Sequence, residues 1–251
     1  MTGIRPWQSA ALFAAAYASL VNAAELSPTE IVARAHAAAG GAFWVNPQTL
    51  SMDGYGLFYD GATTRRHEQH RMWRVYPASK AVAHQADGKV RIDSVSNGKV
   101  VFQVSWDGER TYTQAGPIAD RASASQWQAS FGFGAIRFAL SDGYRLERLP
   151  NDHVDGHATY TVKVVDPSGG ATLFGIDQKS YRIRWLGFDT PRGWHERRYS
   201  EFFEKPGVRW VQPGRVRLYY DGVKSNEIVW TDFRVNEPIA DELFVLPDEP
   251  R

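Results

Sequence analysis

Asx-Gly dipeptides recur along this chain, and they constrain it more than any other feature. Asp87-Gly88, Asn97-Gly98, Asp107-Gly108, Asp155-Gly156 and Asp221-Gly222 each separate runs rich in β-formers. Both central residues of a type I′ turn need a positive φ, which Asn, Asp and Gly tolerate best. The twist of that turn matches the twist of the flanking strands, so each dipeptide predicts a hairpin. The runs predicted as strands are Gln48 to Tyr59, Arg65 to Tyr76, Lys80 to Gln85, Val100 to Trp106, Tyr144 to Leu149 and Ala158 to Val165. Ala171 to Ile176, Tyr181 to Phe188, Arg197 to Glu204, Val208 to Tyr220 and Lys224 to Val235 complete the series. About eleven strands at this spacing predict a mainly β (α+β) fold built on one antiparallel sheet.

The rest of the sequence narrows the class. Of 251 residues, 43% are hydrophobic and 23% charged, which suits a folded domain. The formal net charge is +1, so a nucleic-acid binder driven by phosphate neutralisation is excluded. With no cysteine, the chain has no disulfide, thiolate metal site, Cys nucleophile or N-terminal Cys to carry a lipid. Arg5 is the only charge before Glu25, an Ala-rich apolar stretch follows it, and Val21-Asn22-Ala23 offers small residues. This pattern predicts a signal peptide over residues 1–23, removed on export, and a single mature domain over 24–251.

The mature part opens with a capping box, Ser27-Pro28-Thr29-Glu30, with Leu26 and Ile31 placed as a hydrophobic staple. A helix is expected to run to Ala39 and stop at Gly40-Gly41, with Ile31, Ala35 and Ala38 on one face. One stretch breaks the β pattern. Ala122 to Leu140 is poor in charge, rich in aromatics and hinged at Gly132 and Gly134. It is expected to cover the sheet as a lid, with Trp127, Phe131, Phe133 and Phe138 facing the ligand.

Catalytic patterns are weak. His67-Glu68 and His195-Glu196 lack the second His of a zincin motif, because Arg71 and Tyr199 stand there. His67 and His70 are three apart on a predicted strand, point to opposite faces and read as exposed. His153, Asp155 and His157 alternate, but they straddle a turn signal and read as a solvated loop rather than a metal site. Asp189, Glu196, Glu201 and Glu204 lie among arginines and read as cross-strand ion pairs. No cofactor and no catalytic residue is therefore assigned. Aromatics are plentiful instead, and Trp73, Trp106, Trp185 and Trp230 are expected to line an apolar cavity under the sheet.

A resemblance appears at the C-terminus. Val235-Asn236-Glu237-Pro238 followed by Asp241-Glu242-Leu243-Phe244-Val245-Leu246-Pro247 resembles the closing motif of the LolA/LolB-like lipoprotein-carrier superfamily. The capped helix over Ile31 to His36, its Gly-Gly stop and a first strand near Thr49-Leu50 are similar in order. Here Asn236 is expected to leave the strand through an Asx turn, Pro238 to end the ladder, and Leu243 and Phe244 to plug the end of the core. The resemblance implies an unclosed, curved half-barrel sheet with helices in its concavity. It also implies a periplasmic monomer that carries a lipid, an acyl chain or an acylated protein between donor and acceptor proteins of the inner and outer membranes. Two other readings stay open: an envelope structural or sensory module, and an enzyme acting on a small aromatic or apolar substrate on the same scaffold.

Overall fold

The computed structural model describes residues 25–77, 88–120 and 134–246. These form a single antiparallel sheet of thirteen strands. The strands are β1 (Thr49–Asp60), β2 (Thr63–Val75), β3 (Lys89–Ser96), β4 (Lys99–Trp106), β5 (Thr111–Thr113), β6 (Gly116–Pro117) and β7 (Arg145–Val154). They continue as β8 (His157–Val165), β9 (Ala171–Asp177), β10 (Ile183–Thr190), β11 (Gly193–Glu204), β12 (Val211–Tyr220) and β13 (Val223–Val235). The spatial order is β6-β5-β4-β3-β2-β1-β13-β12-β11-β10-β9-β8-β7, so β6 and β7 are unjoined edges and the sheet does not close. Every neighbour is a sequence neighbour except at one seam, where β1 meets β13 with Leu50 opposite Val235.

The turns follow the dipeptides. Asn97-Gly98, Asp155-Gly156 and Asp221-Gly222 have φ of 52° and 73°, 50° and 79°, and 46° and 78°, as type I′ turns require. Asp107 departs from that pattern. Its carboxylate accepts hydrogen bonds from the backbone of Glu109 and Arg110 at 2.8 and 2.7 Å, which makes a longer Asx loop. The expected strand at Lys80 to Gln85 falls on residues 78–87 and the expected signal peptide on residues 1–23; both lie outside the described residues. Lys89–Ser96 is a strand that the predicted series lacks, although it alternates well. Val90 and Ile92 point to one face, while Arg91 and Asp93 pair with each other at 2.7 Å on the other.

Three short helical segments lie on one face of the sheet: α1 (Pro28–Ala39), α2 (Ala42–Val45) and α3 (Ala135–Phe138). The capping box is formed, with Ser27 Oγ accepting from the Glu30 N–H at 3.2 Å and Glu30 accepting from the Ser27 N–H at 2.9 Å. Ile31, Val32 and Ala35 are buried in the same core as Val162, Val164, Phe174 and Ile176, so α1 covers the β7–β9 side. Gly40 ends the helix at φ 136°, and a Cβ there would lie 2.1 Å from the Arg209 carbonyl oxygen, so only glycine fits. His36 then ties α1 to α3 through a 2.6 Å contact with the Ile136 carbonyl. None of the described helices is long and apolar enough to cross a membrane.

The C-terminal motif works as expected at its first half and differently at its second. Asn236 adopts φ 62° and its side chain accepts from the Gln48 N–H at 2.7 Å, tying the end of β13 to the start of β1. Phe244 is fully buried, but it does not plug the main core. The Asp241–Phe244 turn crosses the outer face of β3 and β4, where Arg91 donates to the Leu243 carbonyl and Ser105 to the Phe244 carbonyl, both at 2.7 Å. Arg91 and Ser105 alternate out of phase with the inward residues, and that parity puts the tail outside.

Candidate functional site

Strand alternation decides which side chains meet the helices. On β1, β2, β3 and β4 the inward rows are Leu50–Arg74–Val90–Trp106, Met52–Met72–Ile92–Val104 and Gly54–His70–Ser94–Phe102. Across the seam, Ile228 and Trp230 of β13, Val216, Leu218 and Tyr220 of β12, and Arg197 and Tyr199 of β11 continue the same face. The helices fill only the β7–β9 side of this concavity. What remains is a cavity of about 580 Å³, roofed by Ala38 and Ala39 of α1, Trp44 of α2, and Ile136 and Arg137 of α3. Its size is in the range of about 300–1,000 Å³ common to ligand pockets.

Two parts of the wall differ in chemistry. Met52, Met72, Ile92, Val104, Ile228 and Trp230 form an apolar floor. His70 is set into this floor, not exposed as its charged strand suggested. A shifted register between Gly54 and Gly56 brings both His67 and His70 to Phe58, with ring centroids 4.2 and 6.1 Å away. Burial, reinforced by the charge of His67, drops the His70 pKa to about 3, so it is neutral at physiological pH and hydrogen-bonded to Ser94 Oγ at 2.6 Å.

At the helical end the wall turns cationic. The Arg137 guanidinium lies 4.3 Å from the Trp44 ring, 5.0 Å from Tyr76 and 5.4 Å from Trp210, and it donates to the Trp44 carbonyl at 2.9 Å. Arg74, only 3% exposed, lies 4.8 Å from the same Tyr76 ring. Arg197 donates to His195 Nε2 at 2.8 Å. Burial brings the Arg197 pKa down to about 10, with the Arg74 charge adding to the depression and Tyr199 and Tyr220 opposing it. It still stays protonated at neutral pH, and the surface it keeps opens into the cavity. Burial likewise holds the Tyr199 phenol above its ordinary pKa, against the pull of Arg197 and Arg137.

Of the residues the sequence singled out, Trp230 is on the cavity wall. Trp106 shares the inward parity but stands beyond Val104, against Val90, outside the cavity. Trp73 and Trp185 are one residue out of phase with the wall and occupy the opposite face. Trp73 pairs with Arg91 there, and Trp185 lies flat over Gly175, where a Cβ would meet its ring nitrogen at 1.8 Å. Phe138 is half-buried on α3 and does not line the cavity, whereas its neighbours Ile136 and Arg137 do. Trp127, Phe131 and Phe133 lie outside the described residues.

The polar clusters also resolve. Asp155 pairs with Arg217 and Arg198, while His157 meets Asp177 at 3.0 Å, so His153, Asp155 and His157 do not converge. Among the described residues no group of three metal-ligating side chains exists. Glu196 pairs with Arg198, Glu201 with Arg215 at 2.7 Å and Glu204 with Arg182 at 3.3 Å, as a charged sheet surface does.

No family model matches this chain, and no curated protein does. Solved structures do. A LolA superfamily protein from Nitrosomonas europaea superposes with a TM-score of 0.54 at 12% identity, over 88% of this chain and 98% of that one. The chain has a LolA-like fold. A candidate outer membrane lipoprotein-sorting protein domain from Vibrio parahaemolyticus matches at 0.50 and 14% identity, over 86% and 94% of the two chains. A DUF1329 family protein from Desulfovibrio piger matches at 0.52 and 9% identity, over 87% and 98%. In this LolA-like fold the cavity sits between the inward face of the sheet and the helices, which are the only elements that cover it among the described residues.

Proposed function

We propose that the chain is an exported carrier or binding protein that holds an acyl chain of a lipid or lipoprotein in its cavity. The observation that carries this reading is the 580 Å³ space between the sheet and the helices, floored by methionines, branched aliphatics and Trp230. Burying an acyl chain is worth about 0.8 kcal/mol per methylene, so such a floor holds one without polar chemistry. A holding role also suits the titratable groups in the wall. They are arginines, tyrosines and a histidine kept neutral by burial, and none of the described ones forms a nucleophile–base pair. In this reading residues 1–23 direct export and are removed, 24–251 act as one periplasmic domain, and donor and acceptor proteins at the two membranes load and unload it.

Native mass spectrometry of protein purified from cell envelopes without detergent tests the proposal. A non-covalent adduct of lipid mass is expected, displaced by a fluorescent fatty acid. Bare protein that also fails to bind the fluorescent fatty acid refutes it.

A further inference from the structure

The apolar floor explains a chain-binding cavity, but it does not explain the charge. Among the described residues arginine is the only ionised side-chain type on the wall: Arg74, Arg137, Arg182, Arg192 and Arg197 line the cavity, and no Asp or Glu does. Arg182 and Arg192 belong to the rim, the first paired with Glu204 and the second exposed beside Tyr220. The other three are set inside, at the end nearest the helices. Arg74 and Arg137 share the Tyr76 ring at 4.8 and 5.0 Å. Arg197 projects from β11 toward the same space, two residues before Tyr199, whose phenol feels the charges of both Arg197 and Arg137. A cation at the edge of a low-dielectric cavity is costly, and several of one sign add repulsion.

We propose that the cavity selects an anionic amphiphile and binds it head-inward, with its carboxylate or phosphate between Arg74, Arg137 and Arg197 and its acyl chain along the Met52–Met72–Trp230 floor. Guanidinium forks suit both head groups, since each presents two or three oxygens in one plane or cone. Arg137 also sits on the roofing helix α3, so the head group touches sheet and roof together and closes one on the other. This inference rests on the carrier reading and specifies the chemistry of its cargo.

Calorimetry with matched single-chain ligands, each below its aggregation concentration, separates the two ideas. Palmitate and palmitoyl lysophosphatidate are compared with neutral palmitoylglycerol, and inorganic phosphate is tested alone. Both acids are expected to bind at least tenfold more tightly than the neutral ester, the gain of one good charge-assisted hydrogen bond. Inorganic phosphate alone is expected not to bind. Arg137→Gln and Arg197→Gln are each expected to lose about tenfold for the acids and nothing for the ester, while Arg137→Lys keeps part of the preference. The ester affinity of each variant reports that its cavity is still folded. Equal affinity for acid and ester overturns the inference and leaves the carrier reading standing. Phosphate binding as tightly as lysophosphatidate overturns the amphiphile and leaves a free-anion site. Failure of all the lipids to bind overturns both readings.

Discussion

Asp177→Asn is expected to cost about 2 kcal/mol at pH 7 and almost nothing near pH 2. Asp177 ends β9 and is almost buried, with a side-chain exposure of 6%. One carboxylate oxygen accepts from the backbone N–H groups of Lys179 and Ser180 at 2.9 and 2.8 Å; the other meets Arg184 at 3.1 Å and His157 at 3.0 Å. Burial alone would raise its pKa, but hydrogen bonds from the Ser180 and Lys179 N–H groups, the Ser180 side chain and Arg184 outweigh burial and bring it to about 2 from 3.8. A native pKa below the unfolded one means that the carboxylate stabilises the fold fully above pH 3.8, and that this is lost as the pH falls through about 2. At 1.36 kcal/mol per unit the contribution is about 2 kcal/mol. Asparagine keeps the acceptor that serves the two backbone N–H groups, but an amide NH2 replaces the oxygen that faces Arg184 and His157, so the charge and those two contacts are lost together. The same turn delivers Tyr181, at φ 56°, to Arg34 of α1 at 2.7 Å, so the substitution also loosens the helix that roofs the cavity. Urea denaturation of both proteins from pH 7 to pH 2 is the assay. Stability curves that converge toward pH 2 are expected. A constant offset across that range would show that geometry, not charge, explains the loss, and would refute this reasoning.

Other substitutions separate the cap, the core, the cavity and the buried histidines. Ser27→Ala removes one side of the capping box and is expected to lower stability by about 1 kcal/mol in the same melts. Phe174→Ala, at a side chain 1% exposed in the core, is expected to cost about 3–5 kcal/mol. Trp230→Ala, whose ring borders open cavity, is expected to cost less and to weaken fluorescent fatty-acid binding; a full core penalty with unchanged binding would remove Trp230 from the site. His70 and His195 have folded pKa values of about 3 against 6.5 unfolded, so each stabilises the fold above pH 6.5 and loses that contribution as the pH falls toward 3. His70→Asn should flatten the pH dependence in that window, and an unchanged slope would contradict the buried, neutral assignment.

Local signals were the legible ones. The capping box, the type I′ turns and the Asn236 exit are each decided by a few adjacent residues; the structure forms the cap, the exit and the turns at Asn97, Asp155 and Asp221, while Asp107 makes a longer Asx loop instead. The antiparallel sheet follows from the same turns, whereas its open edges and the helices on one face came with the resemblance to the LolA/LolB-like superfamily. Facing is harder to read. Trp73 and Trp185 look as apolar as Trp230, but parity within a strand sends them outward, and a run read without its partner strands carries no label for in or out. The register shift at Gly54 and Gly56 hid the burial of His70 in the same way. The cationic end of the cavity was out of reach for a stronger reason. Arg74, Arg137 and Arg197 come from β2, α3 and β11, and only long-range pairing brings them to one wall. Arg197 stands in a charged stretch that looks like surface, although strand alternation alone separates it from Arg198 and Glu196.

The seam between β1 and β13 also orders events in time. Twelve pairings hold the sheet, and all but this one join consecutive strands that zip up from a turn. Leu50 cannot meet Val235 until residue 235 has left the ribosome, and this pairing closes the longest loop of any in the sheet. Two hairpin meanders can form early, but the cavity wall that spans them cannot, because Met52 and Met72 belong to one and Leu218 and Tyr220 to the other. On the proposed carrier reading, a copy that lacks β12 and β13 has only half of this wall and no site in which to hold a lipid.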